Sequence, residues 1–203
     1  MEIIEPNYSW AYQLTPRSTT THLILHHLGA ESASAESIHR YHMSKGWAGI
    51  GYHYYVTKKG EIFRGRPEAM RGAHTSDWNY CSIGVCFEGN FENEFMNAEQ
   101  LKAGRELIAD ISSRYGSIVK GCHRQYGQTA CPGANFPFDA LVSCSIPPEP
   151  TVDEPDNWAK DACEQAIGDG LFLGDGNDCF RWHDSVTRQE LAVILMRYRK
   201  VRN

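Results

Sequence analysis

Residues Thr21 to His27 (THLILHH) are β-branched and aliphatic with a period-two pattern, which predicts a core strand. Ser34 to Lys45 follows with Ile38, Tyr41 and His42 at helical spacing, so a short helix is expected. Gly51 to Thr57 (GYHYYVT) reads as a second strand, and Lys58-Lys59-Gly60 as the turn of a hairpin into Glu61-Ile62-Phe63. Ser82 to Phe87 (SIGVCF) predicts a third long strand. Asn97 is suited to cap the longest helix: Gln100 holds the reciprocal capping position, Leu101, Gly104, Ile108 and Ile111 line one face, and Gly116 ends it. Ile118 to Cys122 is a short strand leading into His123. Strands alternating with helices predict an α/β fold with a mixed central sheet flanked by helices.

Four prolines between Ser143 and Asn157 exclude helix interiors and sheet ladders, so 143–156 reads as a semi-rigid linker between a domain over 1–142 and a small helical domain over 157–203. The tail shows helical patterns over Trp158 to Ile167 and from a Thr187–Glu190 capping box through Leu191, Ile194, Leu195 and Tyr198. The intervening Asp175-Gly176-Asn177-Asp178 hints at a calcium loop. Cys179 and Val186 fall where oxygen ligands belong, however, so it reads as a turn.

Composition narrows the partners. A formal net charge of −5 gives no basic patch for nucleic acid. No apolar run approaches the roughly 18 residues of a membrane span, and the acidic start Met1-Glu2-Ile3-Ile4-Glu5 lacks the features of a signal peptide. The expectation is a protein made in a cytoplasm, without membrane insertion, that needs another exit route to meet any extracellular substrate. Seven cysteines, an odd number without repeated CxxC spacing, read as reduced and partly buried thiols.

Cys131 stands apart from that group. Catalytic zinc sites combine His nitrogen and Cys sulfur with one open position for water. His26 lies near a strand end and, by alternation, faces away from its neighbour His27. His123 follows a strand end, and Cys131 lies across a polar loop containing Gly127 that can fold back on it. On spacing alone, this trio stands beside a purely structural reading of the same residues.

The strings LILHH (23–27), GWAGIGYHYYV (46–56), GAHTSDWNYCSIGVCFEGNF (72–91) and HRQYGQTACPG (123–133) resemble, in order and spacing, the type-2 N-acetylmuramoyl-L-alanine amidases. Phage lysozyme-like enzymes and animal peptidoglycan recognition proteins belong to that family, and the likeness covers residues 20–142. It implies a mixed sheet, a zinc ion held by His26, His123 and Cys131, and a peptidoglycan groove above it. It also implies catalytic roles for Tyr52, which orients the attacking water or donates to the tetrahedral intermediate, and for Thr129, a hydroxyl donor where some members carry Lys. Zinc would acidify the attacking water. No general-base carboxylate stands out: Cys86 occupies a strand position where some relatives carry Glu, and Glu88 is two residues on.

Trp47, His74 and Asn79 are expected to line the groove and contact substrate, with a core-anchor role as the alternative for Trp47. His39 and His42 read as helix-surface residues, His53 as structural and His22 as solvated. Residues 158–198 resemble a single S-layer homology repeat, which implies binding to a secondary cell-wall polymer, with a plain helical cap as the alternative. A tail of about 46 residues is marginal alone, so assembly between chains or packing on the larger domain is expected. Together these readings imply a wall-cutting endolysin of a phage or prophage. A host autolysin and a recognition module that does not cut are the alternatives.

Overall fold

The computed structural model describes residues 1–143, 155, 159–172 and 188–201. The chain divides into a unit over Met1–Ser145 and a unit over Ile146–Asn203.

The first unit is built on β1 (His22–His27), α1 (Ala35–Ser44), β2 (Tyr54–Val56), β3 (Ile62–Arg64), β4 (Ser82–Phe87), α2 (Ala98–Tyr115), β5 (Val119–Cys122) and α3 (Phe138–Val142). The sheet order is β3-β2-β4-β1-β5. β1 lies parallel to both β4 and β5, β2 is parallel to β4, and β3 is antiparallel to β2, so the sheet is mixed as expected. Gly60, with a φ of 78°, supplies the left-handed turn of the β2–β3 hairpin, where a side chain would strain the backbone.

Alternation along the strands sorts the two faces. Leu23, Leu25, Ile83, Val85 and Phe87 pack against Leu107, Ile108 and Ile111 of α2 in the larger core. Each such fully buried aliphatic chain contributes about 1.5–3 kcal/mol. Tyr55 and Cys86 face the other way, into a smaller cluster with Ala35 and Ile38 of α1 and with Ile50. His26 sits in register with Cys86, near the carboxyl end of β1.

Both main helices carry side-chain caps: Asn97 accepts from the Gln100 N–H as the sequence predicts, and Ser34 accepts from the Ser37 N–H. Gln100 departs from the expected capping box. It is buried, and its Nε2 donates to the carbonyls of Val56 and Glu88 at 3.0 and 2.9 Å, tying α2 to the ends of β2 and β4. The predicted strand over Gly51–Thr57 is regular only over Tyr54–Val56. Ahead of it, the Gly51 and Tyr52 carbonyls accept the backbone N–H groups of Ala73 and Arg66 in the loops.

On the larger face, Glu68 gathers hydrogen bonds from Tyr54, Tyr115 and both terminal nitrogens of Arg114. Burial alone would raise its carboxyl, but these donors outweigh it and bring the pKa down to about 2.

The second unit contains α4 (Lys160–Gly168) and α5 (Arg188–Val201). They fall on the two expected helical patterns, and Arg197 donates to the Leu171 carbonyl at 3.0 Å. Most of the proline-rich segment and the Asp175–Asp178 turn lie outside the described residues. No helix among the described residues is long and apolar enough to cross a membrane.

Candidate metal centre

Parallel pairing brings the site together. Leu25 of β1 is in register with Cys122 of β5, so His26 and His123, one residue further on in each chain segment, emerge side by side at the carboxyl end of the sheet. Open α/β sheets place their ligands at that end. Their rings stand 4.5 Å apart. From His123 the chain makes a short 3-10 helix over His123–Gln125 and folds back, closed by the Arg124 N–H donating to the Cys131 carbonyl at 2.9 Å. The Arg124 guanidinium also donates to the Gly133 carbonyl.

The result is a group of ligand atoms from His26, His123 and Cys131 that all lie within 4.8 Å of one another. Cys131 Sγ is 3.8 Å from His26 Nδ1, which identifies Nδ1 as the His26 atom turned toward the group. Burial lowers the pKa of both histidines, adjacent imidazoles add to the effect, and the rings are neutral lone-pair donors at physiological pH. Burial also pushes the Cys131 thiol up to about 11. A divalent cation at the centre of the group would offset that by favouring the thiolate. Two imidazole nitrogens and one sulfur at this spacing suit zinc with a position left open.

Around the trio, Tyr52 lies with its ring 5.3 Å from that of His26. Burial, followed by the neighbouring Cys86 and Cys131, raises its phenol pKa well above the ordinary value, so it keeps its proton. Thr129 is exposed, and its Oγ1 accepts the Cys131 N–H at 3.2 Å. Trp47 is 39% exposed, with its ring 4.6 Å from that of His42.

His74 and Asn79 lie behind the centre rather than out along it. His74 is 8% exposed, with Nδ1 3.0 Å from His26 Nε2. Asn79 Oδ1 accepts the backbone N–H groups of His74 and Thr75 at 2.8 and 3.0 Å. Glu88 is not poised as a base: it accepts from the Ser32 hydroxyl and the Lys58 N–H, holding two loops.

Two histidines correct the sequence reading. His39 and His42 are not on the helix surface: they share the buried face of α1 with Ala35 and Ile38. Each accepts a backbone N–H through Nδ1, from Ile50 and Gly51 respectively, pinning the loop that leads to Tyr52. Their spacing of three residues was the available signal, masked because histidine counts as polar in a periodicity reading. His53 is fully buried, with Nδ1 accepting from the Gly84 N–H and Nε2 at 2.9 Å from the Met70 carbonyl. His22 is half-buried against Trp78 and Tyr126. Cys81, Cys86, Cys122, Cys131 and Cys163 are free thiols.

Comparison with known proteins agrees with this geometry. Residues 16–134 match the family model described as N-acetylmuramoyl-L-alanine amidase. The chain is similar to peptidoglycan-recognition protein SC2 of Drosophila simulans, with 37% identity over 59% of this chain and 71% of the relative. It is also similar to the endolysin of Enterobacteria phage T3, with 30% identity over 59% of this chain and 85% of the phage protein. Among solved structures, the N-acetylmuramoyl-L-alanine amidase LysC from Clostridium intestinale URNW superposes with a TM-score of 0.68 at 35% identity, over 70% of this chain and 95% of that one. The chain belongs to the N-acetylmuramoyl-L-alanine amidase family.

Proposed function

We propose that this chain is a zinc-dependent hydrolase of bacterial peptidoglycan, cutting the amide between the lactyl group of N-acetylmuramic acid and L-alanine, and that it serves a phage or prophage as an endolysin. The observation that carries the reading is the convergence of His26, His123 and Cys131 donor atoms within 4.8 Å, at the carboxyl end of a sheet that lies wholly within the family match. Zinc bound there would supply a Lewis acid and a water acidified to near neutrality.

This chain's own residues supply the rest. His26 and His123 offer neutral nitrogens because burial opposes their protonation. Tyr52, kept protonated, donates a hydrogen bond to the oxygen that gains charge as water adds to the carbonyl carbon. Thr129 accepts from the Cys131 backbone, so its own O–H remains to donate to that same oxygen. The exposed part of the Trp47 indole offers a flat apolar face to a sugar or stem peptide. Hydrolysis breaks the C–N bond, leaving a lactyl carboxylate and the free α-amine of alanine.

Residues 157–203 are our candidate wall anchor, through a secondary polymer. The endolysin reading draws on the phage relative, and a host autolysin would use the same chemistry. Recognition without cutting is the rival reading, since peptidoglycan-recognition proteins are among the relatives. Cys131 weighs against it, because binding a muropeptide needs no thiol converging with two histidines. The test is release of free amino termini from purified peptidoglycan by the full chain. Release should stop on chelation and return with zinc; binding to the wall without release at any zinc concentration would favour the recognition reading.

A further inference from the structure

Behind the metal centre runs a chain of hydrogen-bonding groups that the reaction itself does not use. His26 Nε2 is 3.0 Å from His74 Nδ1, and His74 Nε2 is 3.4 Å from Ser82 Oγ. Ser82 Oγ lies 2.7 Å from the Trp78 carbonyl. A carbonyl oxygen can only accept, so the Ser82 proton is committed to it in the shortest of these contacts. Ser82 is then an acceptor toward His74, which places the His74 proton on Nε2 and leaves Nδ1 with a lone pair. His26 must therefore carry its proton on Nε2, and its Nδ1, the atom facing Cys131, is the free donor. Thr75 Oγ1, 3.0 Å from His74 Nδ1 and 3.4 Å from His26 Nε2, joins the link without reversing it.

The backbone is shaped to admit this device. Ser82, Gly84 and Cys86 point to the same face of β4 by alternation. A Cβ on Gly84 would lie 2.5 Å from the His74 ring, so the imidazole occupies the space a side chain would take in mid-strand. Asn79 fixes the loop carrying His74 by accepting two of its backbone N–H groups.

We infer that His74 is a positioning residue, which through the Trp78 carbonyl–Ser82–His74 relay locks His26 in the Nε2–H tautomer and aims its Nδ1 at the metal position. This moves His74 from the expected substrate contact to a role acting through His26. Its consequence for metal binding rests on the zinc reading above; the tautomer itself does not. Such partners behind a ligating histidine typically contribute about 10–100-fold in metal affinity.

The experiment has two arms. Two-bond proton–nitrogen correlation on the metal-free wild-type chain reads the His26 ring: protonated Nε2 with bare Nδ1 is expected, and protonated Nδ1 would overturn the relay. Chelator competition then compares zinc affinity. His74→Phe, which keeps ring volume but no nitrogen, should weaken zinc by about 10–100-fold. His74→Asn, with an acceptor near the Nδ1 position, should recover affinity to within about threefold of wild type, which a mere space-filling role would not produce. Ser82→Ala, a smaller change kept in case the Phe variant misfolds, should weaken zinc by about three- to tenfold. Wild-type affinity in both His74→Phe and Ser82→Ala would refute the inference. If the wild-type chain takes up no zinc, the metal reading fails and the ring measurement alone decides the relay.

Discussion

Cys131→Ser is expected to eliminate the proposed zinc binding and wall hydrolysis together while leaving the fold standing. The thiolate is the only soft ligand in the trio, and a serine hydroxyl neither ionises at neutral pH nor matches its affinity for zinc. Removing one of three protein ligands should lower zinc affinity by roughly a thousandfold or more, since four-ligand structural sites hold zinc with about 10–16 kcal/mol, several kcal/mol per ligand. Release of amino termini should fall to roughly 1% or less of wild type, because acidification of the attacking water is lost. Stability of the metal-free chain should change little, as Cys131 is only half-buried and its sulfur makes weak contacts, 3.8 Å from His26 Nδ1 and with the His27 backbone N–H. Saturating zinc should therefore raise the melting temperature of wild type and leave that of the variant unmoved. Calorimetry with and without zinc reads both effects; a variant that keeps its zinc-dependent shift would place the ligand elsewhere.

Gly84→Ala should damage stability and site at once. In an ordinary strand this change is neutral or mildly stabilising, because alanine loses less backbone freedom on folding. Here the new methyl would meet His74 Cδ2 and Cγ at 2.5 Å, and that ring is held by His26, Thr75 and Ser82. Overpacking of this kind costs about 1–3 kcal/mol, which for a domain of this size lowers the melting temperature by roughly 2–12 °C. The displaced ring also releases His26, so zinc affinity should fall by about tenfold or more. The double variant His74→Ala/Gly84→Ala separates the two losses: removing the ring relieves the clash and recovers most of the stability, but the zinc affinity stays low. Loss of stability equal to the sum of the single variants would mean that the two sites are not in contact.

Much of the scaffold was legible because its signals are local. The aliphatic runs of β1 and β4, the hairpin glycine and the Asn97 cap each state their structure within a few residues. The metal trio was legible only in part: side-chain alternation separates His26 from His27, but its meeting with His123 depends on β1 and β5 being parallel neighbours, a pairing that no local pattern encodes. Other contacts were invisible for the same reason. Ile4 bridges to Phe63, and Tyr8 stacks on His39 at 4.4 Å, across sequence gaps that periodicity does not span. The five-residue helix α3 is too short to show a period. The relay behind His26 left one trace, a glycine in the middle of the buried strand Ser82–Phe87, which in a central position signals close approach by another group.

X-ray absorption at the zinc edge of the full chain, loaded with one equivalent and washed free of excess, tests the centre most directly. The account predicts two nitrogen scatterers at about 2.0–2.1 Å, one sulfur at about 2.3 Å and one further light atom. A shell without sulfur, or retention of far less than one zinc per chain, would contradict it.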